Sequence, residues 1–285
     1  MRDVVQSLQL HTTKLRSLGI SGCELGTGVG ASIAKWLGRT DTVSGNACRL
    51  TRLALSKNEL LSFGGKQVAA GLKENKSLTW LDMACNPLGP GFGAHLGRAL
   101  INSSLTYLDV SCTGLGDEGC AALLSDIAAN RTLLQINLSH NEMRRRGTEA
   151  LSNALMSQLG KGLTSLDLGS CAIGVVCIDI VAQAMPHCTS LKTLHLNDNA
   201  LSYEGGMALT AFIAGSTSLR HLNVGHNGLP SDCVAAWQDA LLTTSDSSVM
   251  RQALDLHIDL RGNPEVDTSL DVPDLWRSKK SLKYS

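Results

Sequence analysis

One eleven-residue phrase recurs through the chain, and it constrains the fold more than any composition figure. It reads LRSLGISGCEL from Leu15, LTRLALSKNEL from Leu50, LTWLDMACNPL from Leu78, LTYLDVSCTGL from Leu105 and LLQINLSHNEM from Leu133. LTSLDLGSCAI from Leu163, LKTLHLNDNAL from Leu191 and LRHLNVGHNGL from Leu219 continue it, and DLHIDLRGNPE from Asp255 is a degraded ninth copy. The starts lie 35, 28, 27, 28, 30, 28, 28 and 36 residues apart. A unit of this size cannot bury its own apolar face. Neighbouring units must therefore stack into a solenoid with one continuous core.

Within each phrase apolar residues alternate with others, as along a strand with one buried face. Positions four and six, Leu108 and Val110 in the fourth copy, point into the core, while positions three, five and seven point outward. The second half of the unit is as regular. Counted from the last apolar residue of the phrase, the eighth position is Ile33, Val68, Leu96, Leu123, Leu151, Val181, Leu209 and Trp237. The twelfth is Leu37, Leu72, Leu100, Ile127, Leu155, Met185, Ile213 and Leu241. A four-residue step puts both on one helical stripe, so a helix follows each strand. The fourth position is Gly64, Gly119, Gly147 and Gly205 in four units, with Cys177, Cys233, Val29 and Phe92 in the others. A small residue there lets the helix close on the neighbouring turn.

The phrase fits L-x-x-L-x-L-x-x-(N/C)-x-L and so resembles the leucine-rich repeat, and the common 27 to 30 residue period resembles its ribonuclease-inhibitor-like class. The resemblance covers roughly residues 5 to 266. It implies an α/β solenoid, a horseshoe with parallel strands on the concave face and helices on the convex face. It also implies that position nine, which is Asn58, Asn86, Asn141, Asn199, Asn227 and Asn263, bonds backbone groups of the strand-to-helix turn. Cys23, Thr113 and Cys171 replace it elsewhere. Residues 1–266 are read as the repeat domain, about eight repeats plus a degraded last strand, and 267–285 as a C-terminal cap or tail, with Trp276 covering the last repeat, a loose tail and a partner-docking tail as the open readings. Insertions at 38–49 and 242–253 read as loops on one rim, where extra length costs little and a binding role is the other reading. Met1 falls inside a repeat's helix with no polar capping repeat before it, as expected of a piece of a longer protein.

A competing reading arises at Asn86 to Leu100, NPLGPGFGAHLGRAL, where Gly89, Gly91 and Ala94 satisfy the dinucleotide-binding fingerprint with Asp109 twenty residues past Gly89. Gly26, Gly28 and Ala31 repeat that fingerprint, and Asp82, Asp167 and Asp259 share Asp109's phrase position. The motif is a by-product of the repeat, and no cofactor is expected. The sequence holds no G-x-x-x-x-G-K-(S/T), H-E-x-x-H or G-x-S-x-G either. Lys and Arg together number 25, as do Asp and Glu, so no overall field recruits nucleic acid or a membrane surface. The N-terminus lacks a signal peptide's apolar core, and the nine cysteines form no C-x-x-C pair, which points to a reducing, cytoplasmic location with cytoskeletal or ciliary association open. Cys85 and Cys112, both at position eight, are a conceivable reactive or metal-binding pair but lack a third ligand nearby, and His140, His195, His221 and His226 read as single surface histidines rather than a pH-sensitive or metal-binding patch, so no metal site is expected. The sequons at Asn75, Asn102 and Asn130 fall where Asn suits a left-handed helix C-cap.

What remains is a surface. Row three runs Ser17, Arg52, Trp80, Tyr107, Gln135, Ser165, Thr193, His221, His257, and row five Gly19, Ala54, Asp82, Asp109, Asn137, Asp167, His195, Asn223, Asp259. In a chain with 4% aromatics and aliphatic core rows, adjacent Trp80 and Tyr107 on an outward row read as a binding anchor. Asp82 and Asp109 beside them suit a basic or donor-rich partner. The expected protein-binding set is Trp80, Tyr107, Asp82, Asp109, Gln135, Asn137, Asp167, His195, His221 and Asn223. The expected function is a non-enzymatic protein-binding scaffold of open oligomeric state. Alternatives are an enzyme regulator, since the class resembles that of the Ran GTPase-activating proteins, or the repeat region of a larger receptor or a ciliary or cytoskeletal assembly. The basic tail SKKSLKYS departs from the acidic C-terminal stretch of the Ran regulators.

Overall fold

The structure, a computed structural model, describes residues 15–39, 48–243, 255–266 and 269–271. Residues 1–14, most of both insertions, Trp276 and the basic end lie outside the described residues. Positions three to five of each phrase form a strand: β1 (Ser17–Gly19), β2 (Arg52–Ala54), β3 (Trp80–Asp82), β4 (Tyr107–Asp109), β5 (Gln135–Asn137), β6 (Ser165–Asp167), β7 (Thr193–His195), β8 (His221–Asn223) and β9 (His257–Asp259). They pair in parallel, in chain order and like position to like, as in Trp80 opposite Tyr107 and Asp82 opposite Asp109. β10 (Ser269–Asp271), from within 267–285, pairs antiparallel along β9.

Position eight ends every strand. The backbone there is left-handed at Lys57, Cys85, Cys112, His140, Ser170, Asp198 and His226, with φ between 53 and 58 degrees, and at Gly22 and Gly262. A non-glycine residue in that region costs roughly 1–2 kcal/mol. The asparagine one residue on offsets it. Asn141 shows the pattern: its Oδ1 accepts from the amides of Thr113 and Leu115 in the preceding turn, and its Nδ2 donates to the carbonyls of Val110, Leu138 and Ser139. Asn58, Asn86, Asn199, Asn227 and Asn263 are all buried and linked the same way, so the side chain ties its own turn to the one before it. Where asparagine is missing, the backbone compensates. Leu88 N–H donates to the Thr113 carbonyl and Met143 N–H to that of Cys171.

The helices lie on the other side of the core: α1 (Val29–Leu37), α2 (Leu61–Leu72), α3 (Gly91–Leu100), α4 (Gly116–Ile127), α5 (Arg145–Met156), α6 (Gln158–Gly162), α7 (Gly174–Ala184), α8 (Ser202–Ala208), α9 (Thr210–Gly215) and α10 (Ser231–Thr243). All sixteen residues of the predicted stripe are buried. Close approach is real at the small positions: a Cβ on Gly119 would meet the Pro90 carbonyl oxygen at 2.8 Å, and one on Gly93 would overlap the Gly119 carbonyl. Three repeats depart from one helix each. The 30-residue repeat accommodates α6, Pro186 turns the end of α7 into a 3-10 turn, and α8 breaks from α9 at Leu209. There the Trp237 indole N–H donates to the Gly206 carbonyl at 2.9 Å, the acceptor a continuous helix would give to Thr210.

The expected left-handed cap at Asn75, Asn102 and Asn130 is incorrect, since none has a positive φ. Asn75 and Asn130 are buried and bridge repeats instead, donating to the Leu37 and Leu100 carbonyls that end the previous helix. Their Oδ1 atoms accept the amides of Leu78 and Leu133, which open the next strand phrase. At the first insertion, Cys48 N–H donates to the Arg39 carbonyl and closes the loop at its base.

Candidate protein-binding surface

The in-register sheet fixes the outward rows. In row three, Arg52, Trp80 and Tyr107 stand on adjacent strands and stack. The Arg52 guanidinium carbon lies 3.4 Å from the Trp80 ring centroid, and the Trp80 and Tyr107 rings are 4.7 Å apart at an interplanar angle of 9°. Both aromatics are half-buried by this stacking, while Arg52 and Gln135 at its two ends are exposed. Trp80 therefore has both faces covered and presents its edge. The free ring face is that of Tyr107 toward Gln135. Arg52 stands in the same row but was not singled out from the sequence, although its place beside Trp80 was the available signal.

Row five is half-buried along the strip from Asp82 to Asp259. Here one oxygen of each Asp or Asn closes a turn by accepting the amide two residues on: Asp82 from Ala84, Asp109 from Ser111, Asn137 from Ser139, Asp167 from Gly169, Asn223 from Gly225 and Asp259 from Arg261. Asp109 is the most engaged. Its Oδ2 accepts the Tyr107 hydroxyl at 3.3 Å and the Asn137 amide at 3.1 Å, and its Oδ1 accepts the Ser111 hydroxyl at 2.7 Å. Burial, then the charge of Asp109, pushes the Tyr107 phenol up to about 12, so it stays a donor at neutral pH. The outer oxygens of Asp82 and Asp167 have no partner among the described residues.

Farther along the sheet the chemistry changes. His195 takes row five, while His221 and His257 face each other in row three at 6.4 Å between centroids. His140 and His226 sit at position eight, three repeats apart, so the four candidate histidines do not come together in one patch, and no metal-holding cluster exists among the described residues. Gly225 opens a polar recess of about 370 Å³ lined by Asn197, Asn223, His226, Asp259 and Arg261. Arg261 grips Asp259 through both carboxylate oxygens and holds that acid below its usual range. The recess was missed in the sequence, where its signal was a glycine at position seven between Asn197 and Arg261.

Cys85 and Cys112 are neighbours, as the phrase implies, and both are exposed. Gly89 and Gly26 are left-handed turn residues, with φ of 74 and 60 degrees, and the Gly89 amide is bonded to the Thr113 carbonyl. The fingerprint glycines thus form the hinge between strand and helix. Among the described residues no helix is long and apolar enough to cross a membrane.

Similarity to known proteins follows the same architecture. The family profile described as Leucine Rich repeat matches residues 102–124, 129–152, 187–209 and 215–230. The chain is 28% identical over 208 residues to NACHT, LRR and PYD domains-containing protein 4E of Mus musculus, covering 72% of this chain and 20% of that protein. It is 28% identical over 226 residues to the ribonuclease inhibitor of Sus scrofa, covering 78% of this chain and 48% of the inhibitor. It therefore spans about a fifth to a half of these relatives. The leucine-rich repeat-containing protein LegL7 from Legionella pneumophila shares the fold, with a TM-score of 0.52 and 18% identity over 96% of this chain and 84% of that one. The repeated phrase, the parallel sheet with its asparagine ladder and these relatives show a chain of leucine-rich repeats of the ribonuclease-inhibitor-like kind.

Proposed function

We propose that this repeat array is a non-enzymatic scaffold that grips a protein partner on the strand face. The observation that carries the reading is the ready-stacked series Arg52, Trp80, Tyr107 on an outward row of a sheet whose inward rows are aliphatic. Ordering these side chains before binding removes part of the entropy cost of association. The outer oxygens of Asp82 and Asp167 and the occupied but polar Asp109–Asn137 pair offer acceptors to a basic or donor-rich partner surface. Gln135, His195, His221 and Asn223 extend the strip. A relative named as a ribonuclease inhibitor, whose target is itself a protein, supports this class of role. Residues 1–266 act in this reading as one repeat domain, with 267–285 as a C-terminal cap or tail. The test is capture from the native cell with wild type and with Trp80→Ala/Tyr107→Ala side by side. Proteins held by the wild type and lost from a folded double variant support the site, and identical capture refutes it.

A second reading is favoured by the relatives that carry NACHT and PYD domains, of which this chain matches a fifth. In it the array is the ligand-sensing region of a larger receptor. Sequencing full-length transcripts distinguishes the two, since the receptor reading requires a nucleotide-binding module in the same open reading frame.

A further inference from the structure

Position eight places Lys57, Cys85, Cys112 and His140 in one exposed line across four successive turns. Cys85 and Cys112 are the two exposed thiols among nine cysteines. Their geometry follows from the ladder. Cys85 N–H donates to Ser111 and Cys112 N–H to Ser139, both at 2.9 Å, so the in-register pairing of β3 with β4 runs on into these turns. Both residues have φ of 53 degrees, which makes their Cα–Cβ bonds nearly parallel. Neighbouring strands stand about 4.8 Å apart, within the Cα range of a disulfide but slightly wider than its usual Cβ separation of about 3.8 Å. Burial, and then the neighbouring Cys112, hold the Cys85 thiol above its ordinary value, while Lys57 opposes the shift.

We propose that Cys85 and Cys112 form a modification site, a vicinal dithiol that exchanges with a low-molecular-weight disulfide of the glutathione class to give a reversible intramolecular disulfide. One thiolate attacks the S–S bond of oxidised glutathione, forming a mixed disulfide and releasing one glutathione thiolate. The second protein thiol loses its proton, attacks the protein sulfur of the mixed disulfide and expels the second glutathione thiolate. Two protein sulfurs are oxidised and one glutathione disulfide is reduced. Closure draws the turns together by about 1 Å, so the bond is strained and opens readily in excess thiol. Those turns follow Asp82 and Asp109 directly, and closing them shifts β3 against β4 and thus the Trp80–Tyr107 stack. The buried thiols Cys120, Cys171 and Cys188, each pushed up to about 12 by burial, are poor competitors. This chemistry is independent of whether the strand face binds a partner.

The test treats the full chain with oxidised glutathione at mildly alkaline pH and follows intact mass and peptide maps. The expected product has lost two hydrogen atoms, carries a Cys85–Cys112 crosslink and reverts in excess reduced glutathione. Cys85→Ser and Cys112→Ser should each stop at a single glutathione adduct, and Ser170, with φ of 54 degrees, shows that serine fits this turn. The near-ultraviolet circular dichroism of the wild type should change on crosslinking, and that of Trp80→Phe should change much less. A wild type that stops at mixed adducts, stays unreacted or crosslinks elsewhere overturns the proposal. An unchanged spectrum on crosslinking overturns the coupling to the stack.

Discussion

Asn199→Ala tests the idea that position nine, more than strand pairing, holds successive turns together. The side chain is 1% exposed, and its Oδ1 accepts Cys171 N–H at 3.0 Å and Ile173 N–H at 3.2 Å. Its Nδ2 donates to Leu168 at 2.8 Å and Leu196 at 2.9 Å. Leu196 keeps a second donor in Asn227, whereas Leu168 has no asparagine of its own repeat, because Cys171 stands there. Truncation therefore strands two buried amides and the Leu168 carbonyl. At roughly 1–3 kcal/mol for each unsatisfied group, partly relieved by relaxation, the expected loss is about 3–6 kcal/mol. Thr113 shows how threonine behaves at this position: its hydroxyl bonds the Val110 carbonyl at 2.6 Å, and a backbone carbonyl takes the Leu88 amide. Asn199→Thr should accordingly recover about half the loss. Urea unfolding gives the totals, and hydrogen exchange at the Cys171 and Ile173 amides gives the local effect, which is needed because repeat arrays open in parts. A loss below about 1 kcal/mol for Asn199→Ala, or unchanged exchange at both amides, refutes the ladder as a main source of stability.

Trp80→Ala/Tyr107→Ala should lower unfolding stability by less than about 1.5 kcal/mol, since the lost stack is largely at the surface, while weakening partner capture by tenfold or more. In an absorbance titration Tyr107 should ionise near pH 12, identified as the transition missing from Tyr107→Phe. Because its folded value is raised above the ordinary 10.0, its contribution to stability is complete below pH 10 and disappears between 10 and 12. Tyr107→Phe should flatten the alkaline fall of stability over that window. Gly93→Ala places a methyl against the Gly119 backbone and should cost about 1–3 kcal/mol by thermal unfolding. Gly215→Ala, with open space around it, serves as the control and should change little.

The buried half of the molecule was legible because core positions are chosen by one physical demand. Leu53, Leu81, Leu108 and Leu166 recur at the same phrase position since each must fill the same gap, and the helical stripe from Ile33 to Leu241 recurs for the same reason. What the period hid were places where backbone and side chain solve a problem jointly. The left-handed turns at Lys57, Cys85 and His140 carry no shared residue type, because the stabilising bonds come from the asparagine one residue later. Likewise the break at Leu209 originates in an indole from the next repeat, which no local pattern at Gly206 announces.

The same reasoning explains why the outward rows were only half readable. Their order was fixed by register, so the adjacency of Trp80 and Tyr107 followed from counting. Their availability did not, since it depends on what each side chain does besides facing out. Trp80 is sandwiched between Arg52 and Tyr107, and every Asp or Asn of row five spends an oxygen on its own turn. An alanine at Asp82 or Asp167 therefore removes a turn bond together with any partner contact and cannot separate the two roles. Asparagine can: it keeps an oxygen for the turn amide and changes only the outer atom, as Asn137 and Asn223 show in the wild type. For this strand face, Asp→Asn in row five and removal of the ring face at Tyr107 are the substitutions that report on recognition, and truncations report first on the scaffold.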